Sequence, residues 1–575
     1  MKDKILPYVL QNMIKYQGSA NPKAVLGPAL KNNPELKTQV PDVLKTIQEI
    51  IQEHQGQSTE ELKTQLQSIN PDLLPQKEPE QVKGPLKPLR NADMNKVLVR
   101  IAPSPSGPLH IGHAYGTMLN ATYANMYGGK FILRIEDTNP ANIYPKAYQM
   151  IEDDVNWLTG NKIDDLKIQS DRLDIYNKYT KQLVSQGDAY ICTCDPDEWR
   201  EMKAKKAACS CRSEETADQL IKLDKMYSIK SEGGFQEGEA VLRLKTDIED
   251  KNPAMRDFSL ARIAEHIHPR TKADNRVWPL MVLSVAIDDH EMGITHVLNG
   301  KDHHDNGKKE ALIMQKLGWK APEYQHWGRI NFEGMRLSTS KTKIAIEEGE
   351  YTGWDDIRLA TLKALRRRGY QPEALKKFAC EIGLSLNDKT VSQEEFWKII
   401  NSFNKEIIES TSNRYFFVDN PIELNIAGLE SKTIELDLHP DNKDRGTRSL
   451  NLTGSFLISK QDLDSLNTNA IHRLIDCCNF QNKEDQSNFE FLSKEYEHFK
   501  DAENKGRIIH FLPNDDSQII DAEVLLTDHT LLKGKIEKNI IKNQKVGDIV
   551  QLERRFFARI DTITDEKVTL WYLHK

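Results

Sequence analysis

Apolar positions along this chain fall into three successive regimes. Up to about residue 74 they recur at helical spacing, as in Val43-Leu44, Ile47 and Ile50-Ile51, which predicts helices with polar outer faces. From about 95 to 190, short apolar runs at 97–102 and 130–135 alternate with helical stretches such as 114–127. That alternation is the βαβ pattern of a doubly wound parallel sheet. A charged, cysteine-bearing stretch at 190–275 interrupts it. The pattern resumes at 277–287 and 294–298, followed by a helix at 308–317 and a helix-rich section at 352–407. After about 412 the period becomes that of strands, at 414–418, 434–438, 507–511, 523–526 and 568–572, which predicts one or two β-barrels.

The expected architecture is multidomain α/β plus β. A helical appendage occupies 1–74, and a linker punctuated by Pro75, Pro79, Pro85 and Pro88 occupies 75–94. A Rossmann-type doubly wound domain, in halves at 95–190 and 276–345, is split by an insertion at 191–275. A helical connector at 346–411 leads to β-barrels at 412–575.

Composition narrows the classes. At 38% hydrophobic and 29% charged, the 575 residues read as an ordinary soluble protein. The longest uncharged apolar run, 277–287, is too short to span a bilayer. Met1-Lys2-Asp3-Lys4-Ile5-Leu6 lacks the apolar core of a secretion signal, so a cytoplasmic location without a membrane partner is expected. A net charge of −7 argues against a general nucleic-acid coat while allowing a local basic face. Lys203, Lys205 and Lys206, and Arg366-Arg367-Arg368, are the candidates; on charge alone each reads as a solvated helix face. Seven cysteines, four of them in one short segment, are reducing-compartment usage rather than a disulfide framework.

The chemistry concentrates in Pro103-Ser104-Pro105-Ser106-Gly107-Pro108-Leu109-His110-Ile111-Gly112-His113. This turn follows a strand and opens a helix, whose N-terminus offers unpaired N–H groups and partial positive charge to phosphate. His110 and His113 share one face and supply two donors for charge developing on a phosphoryl group. Gly112 between them leaves the backbone open to a base or sugar. Met335-Arg336-Leu337-Ser338-Thr339-Ser340-Lys341-Thr342-Lys343 is a second, mobile loop whose hydroxyls and ammonium groups suit a triphosphate. Cys192-Thr193-Cys194 and Cys209-Ser210-Cys211, fourteen residues apart, have the paired spacing of a tetrahedral thiolate site. Four protein ligands would make its Zn2+ structural; unligated buried cysteines are the alternative.

Arg100-Ile101-Ala102-Pro103-Ser104-Pro105-Ser106-Gly107 and Leu133-Arg134-Ile135-Glu136-Asp137-Thr138-Asn139-Pro140, with the histidine turn and the Ser/Lys loop, resemble the class I aminoacyl-tRNA synthetases of the glutamyl/glutaminyl branch. Ile287-Asp288-Asp289-His290, Gly300-Lys301-Asp302-His303, residues 353–369, Arg414-Tyr415-Phe416-Phe417-Val418 and Val550-Gln551-Leu552-Glu553-Arg554 extend the resemblance over 95–575. The β-rich end is similar to the archaeal and eukaryotic glutamyl type and to glutaminyl enzymes.

The resemblance implies two-step chemistry with ATP, Mg2+, an amino acid and tRNA. It assigns His110, His113, Ser338 and Lys341 to catalysis. ATP would meet Pro103, Ser104, Gly107, His110, Gly112, His113, Ser340 and Lys341. The amino acid would meet Arg100, Ala102, Ser104, Glu136, Met281 and Asn299. In that scheme Glu136 pairs with the α-amino group and Arg100 with a carboxylate. Three departures stand out: Thr339 where the family usually has lysine, Met281 where tyrosine is frequent, and Asn299 where glutamyl enzymes commonly have arginine. L-glutamate is the expected substrate, with glutamine or relaxed specificity left open. The insertion, with Lys203, Lys205, Lys206 and Arg212, would meet the tRNA acceptor end. The barrels would bind the anticodon, although Phe556-Phe557 read equally well as core. Residues 1–74 are a candidate protein-docking element. A small-molecule nucleotidyltransferase would leave the β-rich tail unexplained, and intact His110 and His113 argue against a catalytically silent tRNA-binding subunit.

Overall fold

The computed structural model describes residues 1–16, 18–74, 84–272, 275–482 and 488–575. It divides into two units, Met1–Lys83 and Gly84–Lys575. Residues 75–83 of the expected linker lie outside the described residues.

In the first unit α1 (Lys2–Lys15), α2 (Pro22–Asn32), α3 (Val40–Glu53) and α4 (Thr59–Ile69) bury the apolar stripes that their spacing predicts. Ile5, Val9 and Met13 pack with Val43, Ile47, Ile50, Leu62 and Leu66. Ser58 and Glu61 close α4 with a reciprocal capping box.

The second unit opens with β1 (Leu98–Ile101), α5 (Ile111–Met126), β2 (Lys130–Ile135), α6 (Ala147–Thr159), β3 (Asp165–Ile168) and α7 (Leu173–Ser185). The three strands pair in parallel, Leu98 opposite Lys130 and Ile132 opposite Asp165. The chain then builds β4 (Ala189–Cys192), α8 (Pro196–Ala204), α9 (Thr216–Tyr227), β5 (Val241–Leu244), β6 (Ser259–Ile263) and β7 (Val277–Pro279). These four strands form an antiparallel sheet over Leu183, Ile191, Leu223, Leu242 and Leu260.

Next come α10 (Met281–Glu291), β8 (His296–Gly300), α11 (His304–Lys316) and β9 (Glu323–Trp327), with β8 and β9 parallel. The Thr295 N–H donates to Leu98 O at 3.0 Å and Thr295 Oγ1 accepts from the Leu98 N–H at 2.8 Å. Those bonds set the start of β8 beside β1, so the residues leaving both strands face one crevice, where open α/β sheets bind ligands.

Two sequence expectations change here. After β10 (Ile330–Glu333), the expected Ser/Lys loop is a helix from its fifth residue, α12 (Thr339–Glu347), because Ser338 supplies an N-cap. Between α13 (Leu362–Arg368), α14 (Pro372–Ile382) and α15 (Gln393–Ile408), the helix-rich section also carries a strand, β11 (Lys389–Ser392), parallel to β10.

The C-terminal region is strand-rich. The expected run 414–418 is two short strands of one sheet, Asn413–Tyr415 and Phe417–Asp419, which pair with its opposite edges and nearly close it. The break at Phe416 has a cause: its N–H donates to buried Glu537 at 2.7 Å, and its ring enters one core while Tyr415 and Phe417 enter the other. Phe556 and Phe557 are buried, as the core reading requires.

Candidate active site

His110 is the N-cap of α5. Its Nδ1 accepts from the Gly112 N–H at 3.1 Å, and His113 Nδ1 accepts from the His110 N–H at 3.3 Å. The pair fills the reciprocal roles that serine and glutamate take in an ordinary capping box. With both Nδ1 atoms accepting, each neutral ring carries its proton on Nε2 and keeps one N–H donor. Burial, with His113 alongside, pushes His110 down to about 2, and burial pushes His113 down to about 4. At neutral pH both are uncharged donors, their ring centroids 3.9 Å apart.

The turn before α5 is fastened by three hydrogen bonds to two other segments. The Leu109 N–H donates to Asp154 Oδ2 on α6 at 2.9 Å. Leu109 O accepts from the Leu362 N–H at 2.9 Å, and the Ile111 N–H donates to Ala360 O at 3.2 Å. Gly107 allows a close approach, since a Cβ there would lie 2.3 Å from Thr339 Cγ2 and force that side chain to move. The start of α12 therefore abuts the histidine turn, with Ser338 Oγ accepting from the Lys341 N–H at 3.4 Å.

A cavity of about 410 Å³ lies against this turn. Arg100, Ala102, Glu136, Met281 and Asn299 line it together with His110, Gly112 and His113. Five of the six expected amino-acid residues thus meet three of the eight expected ATP residues in one cavity. Pro103, Ser104, Gly107, Ser338, Ser340 and Lys341 are not in its lining: Pro103 is buried and accepts the Glu136 N–H at 3.0 Å, while Ser104, Ser338, Ser340 and Lys341 are exposed.

One wall is a buried charge network. Arg100 donates from Nε and Nη2 to Asp289 at 3.2 and 3.1 Å, so the bidentate partner expected from substrate is already supplied by the protein. Arg134 joins Asp289 at 2.6 Å to Glu136 at 3.1 Å. Burial opposes the Asp289 charge, but Arg100 and Arg134 outweigh it and hold the carboxyl below its usual range. Burial pushes Glu136 up. Asn299 is also engaged, its Oδ1 accepting from His326 Nδ1 at 2.6 Å. Sequence reasoning named Asp289 only within the resemblance and gave it no role, and it missed Glu310, which lines the cavity. The signal for Glu310 was a carboxyl at helical spacing from Gly307, Ile313 and Met314, the buried face of α11.

The cysteine cluster fits a metal. Cys192 Sγ lies 3.9 Å from Cys209 Sγ, Cys194 Sγ lies 3.7 Å from Cys211 Sγ, and all four sulfurs fall within 4.8 Å of one another. A tetrahedron with Zn–S bonds of about 2.3 Å separates its sulfurs by about 3.8 Å. Of the adjoining basic residues, Lys203 lies over the Trp199 ring, and Arg212 is committed to Asp257 at 2.9 Å. The Arg366-Arg367-Arg368 cluster is not a uniformly solvated face. Arg366 is exposed, but Arg367 grips Asp561 through two bonds of 3.1 and 2.9 Å and stacks on Trp571, while Arg368 bonds Leu573 O at 2.9 Å. No helix among the described residues is long and apolar enough to cross a membrane.

A histidine-capped helix following a parallel strand, a Ser-capped helix abutting its turn and a cavity against that turn are the arrangement of a nucleotide-using α/β enzyme. Comparison specifies which kind. Residues 96–410 match the family "tRNA synthetases class I (E and Q), catalytic domain", and residues 412–497 match the corresponding anti-codon binding domain. The chain is 41% identical over 576 residues to a glutamate–tRNA ligase of Methanocaldococcus jannaschii, covering 100% of both chains. It is 42% identical to one of Pyrococcus abyssi, covering 99% of each. A solved glutamate tRNA ligase structure from Elizabethkingia meningosepticum gives a TM-score of 0.40 at 23% identity, over 56% of this chain and 71% of that one. The chain belongs to the class I tRNA synthetases of the E and Q family.

Proposed function

We propose that the chain is a glutamate–tRNA ligase whose reaction centre is the cavity between the histidine turn and the Arg100–Glu136 wall. The observation that carries this reading is the convergence of two neutral imidazole donors and the Arg100–Glu136 wall on one cavity. The full-length relatives named glutamate–tRNA ligase support the substrate.

In the first step a carboxylate oxygen of glutamate attacks the α-phosphorus of ATP, and pyrophosphate leaves. His110 and His113 donate from Nε2 to the phosphoryl oxygens as charge builds, without first losing a proton. The free oxygen of Glu136 holds the substrate ammonium, its Oε1 being occupied by Arg134. Ser340 and Lys341 at the start of α12 reach the departing phosphates, which bring Mg2+ with them. In the second step a ribose hydroxyl at the tRNA 3′ end attacks the acyl carbon, its proton passes to a phosphate oxygen of the adenylate, and AMP leaves.

Around this centre, Cys192, Cys194, Cys209 and Cys211 would hold a structural Zn2+, which supplies a rigid cross-link and no chemistry. The sheet insertion it braces would meet the acceptor end through Lys203, Lys205 and Lys206. The strand-rich region would bind the anticodon, and α1–α4 would dock a protein partner in the cytoplasm. Asn299, uncharged where glutamyl enzymes commonly carry arginine, favours glutamine as the second reading.

Pyrophosphate exchange with each amino acid, with tRNA present, tests the proposal. Glutamate should be activated at least tenfold more efficiently than glutamine. Equal or greater turnover with glutamine would overturn the assignment.

A further inference from the structure

The buried wall of the amino-acid recess pairs its charges without any contribution from Glu310. Arg100 and Arg134 are matched by Asp289 and Glu136 through the contacts already described. Glu310, on α11, lines the same cavity, is 96% buried (4% exposed), and its Oε2 has no hydrogen-bond partner. Gly307, one turn earlier, admits the Tyr324 ring, against which an added Cβ would sit at 2.9 Å, and the buried Tyr324 hydroxyl is thereby set beside the Glu310 carboxyl. An ionised Glu310 would leave one uncompensated buried anion, and a bound substrate carboxylate would add a second.

We propose that Glu310 is a specificity-determining residue that reads the side-chain carboxylate of glutamate by donating its own carboxyl proton to it. One proton shared between two carboxyl groups gives a charge-assisted O–H···O⁻ bond and removes one of the two anions. Ionised, Glu310 repels glutamate and accepts instead from the amide of glutamine. Asn299, tied to His326, leaves the recess without an added cation. The inference rests on the proposed glutamate specificity.

The facing groups place the change within the working range. Burial, reinforced by Asp289 and Glu136 and opposed by Arg100 and Arg134, pushes Glu310 up to about 7. Burial pushes Tyr324 beyond the titrating range, with Glu310 and Asp289 adding to the effect. A site competent only when protonated binds in proportion to the protonated fraction, so the KM for glutamate should rise about tenfold from pH 6 to pH 8. Glu136 acts with the opposite sign, because it holds the substrate ammonium as a carboxylate. The direction of the slope therefore separates the two.

The test is tRNA charging from pH 6 to 8 with the parent, Glu310→Gln and Glu310→Ala, reading KM for glutamate, glutamine and ATP separately. Expected are a rising glutamate KM and a falling glutamine KM in the parent, with the ATP KM flat. Glu310→Gln, whose amide donates at every pH, should lose the slope; Glu310→Ala should show a high, flat glutamate KM. A flat glutamate KM in the parent, or the parental slope surviving in Glu310→Gln, overturns the inference alone. Glutamine preferred at every pH overturns the underlying assignment and the inference together.

Discussion

The Leu109 N–H donates to Asp154 Oδ2 at 2.9 Å, tying α6 to the residue immediately before His110. Burial pushes this carboxyl up to about 7. The folded protein therefore keeps a proton that the unfolded chain releases near pH 4, and stability falls as pH rises from about 4 through 7. Asp154→Asn, which retains an oxygen acceptor, should remove this part of the slope in thermal melts and be more stable than the parent at pH 8. Asp154→Ala orphans the Leu109 N–H and should cost about 1–3 kcal/mol.

The caps on α5 make a second prediction. His110 and His113 are pushed to about 2 and about 4 by burial, so neither should appear as an ionisation in the kcat profile between pH 5.5 and 8. His110→Ala should lower single-turnover adenylate formation by about 10²–10³-fold. Its stability loss should stay within about 0.5–2 kcal/mol, the range of a lost cap. Equal losses in binding and chemistry would assign the ring to folding alone.

The four cysteine sulfurs predict zinc at one equivalent per chain, read by elemental analysis of the purified protein. Cys209→Ser should lower that content and destabilise the insertion, seen as faster proteolysis between 190 and 275. Adenylate formation should suffer less than tRNA charging, because the cluster lies outside the cavity lining.

Arg367 joins α13 to the C-terminal sheet through Asp561 and Trp571, and to Asp355 at 3.0 Å. The residues just before α13 bond the histidine turn. Arg367→Ala should reduce kcat/KM for tRNA by about tenfold, equivalent to ~1.4 kcal/mol, while KM for ATP changes by less than about twofold. Arg367→Lys should not restore it, since one ammonium cannot replace a two-pronged contact.

Much of this was legible in the chain, for reasons that differ by element. The strand–turn–helix at 97–127 could be read because apolar period, Pro/Gly punctuation and chemistry coincide there. The four cysteines could be read from spacing. Asp289 was not, because its role as the Arg100 partner arises only when α10 packs beside β1, far away in sequence. Nor could charge composition separate a solvated arginine such as Arg366 from Arg367, whose partner lies near the C-terminus. The helix at Thr339 was hidden by a short Ser/Thr/Lys run whose cap, Ser338, looks the same in a loop.

The most direct measurement is the structure and affinity of the chain with non-hydrolysable glutamyl- and glutaminyl-adenylate analogues. The account predicts tighter binding of the glutamyl form below pH 7, its phosphoryl mimic beside His110 and His113, its ammonium at Glu136 and its side chain between Arg100 and Glu310. Binding outside this cavity, or a preference for the glutaminyl form at every pH, would contradict it.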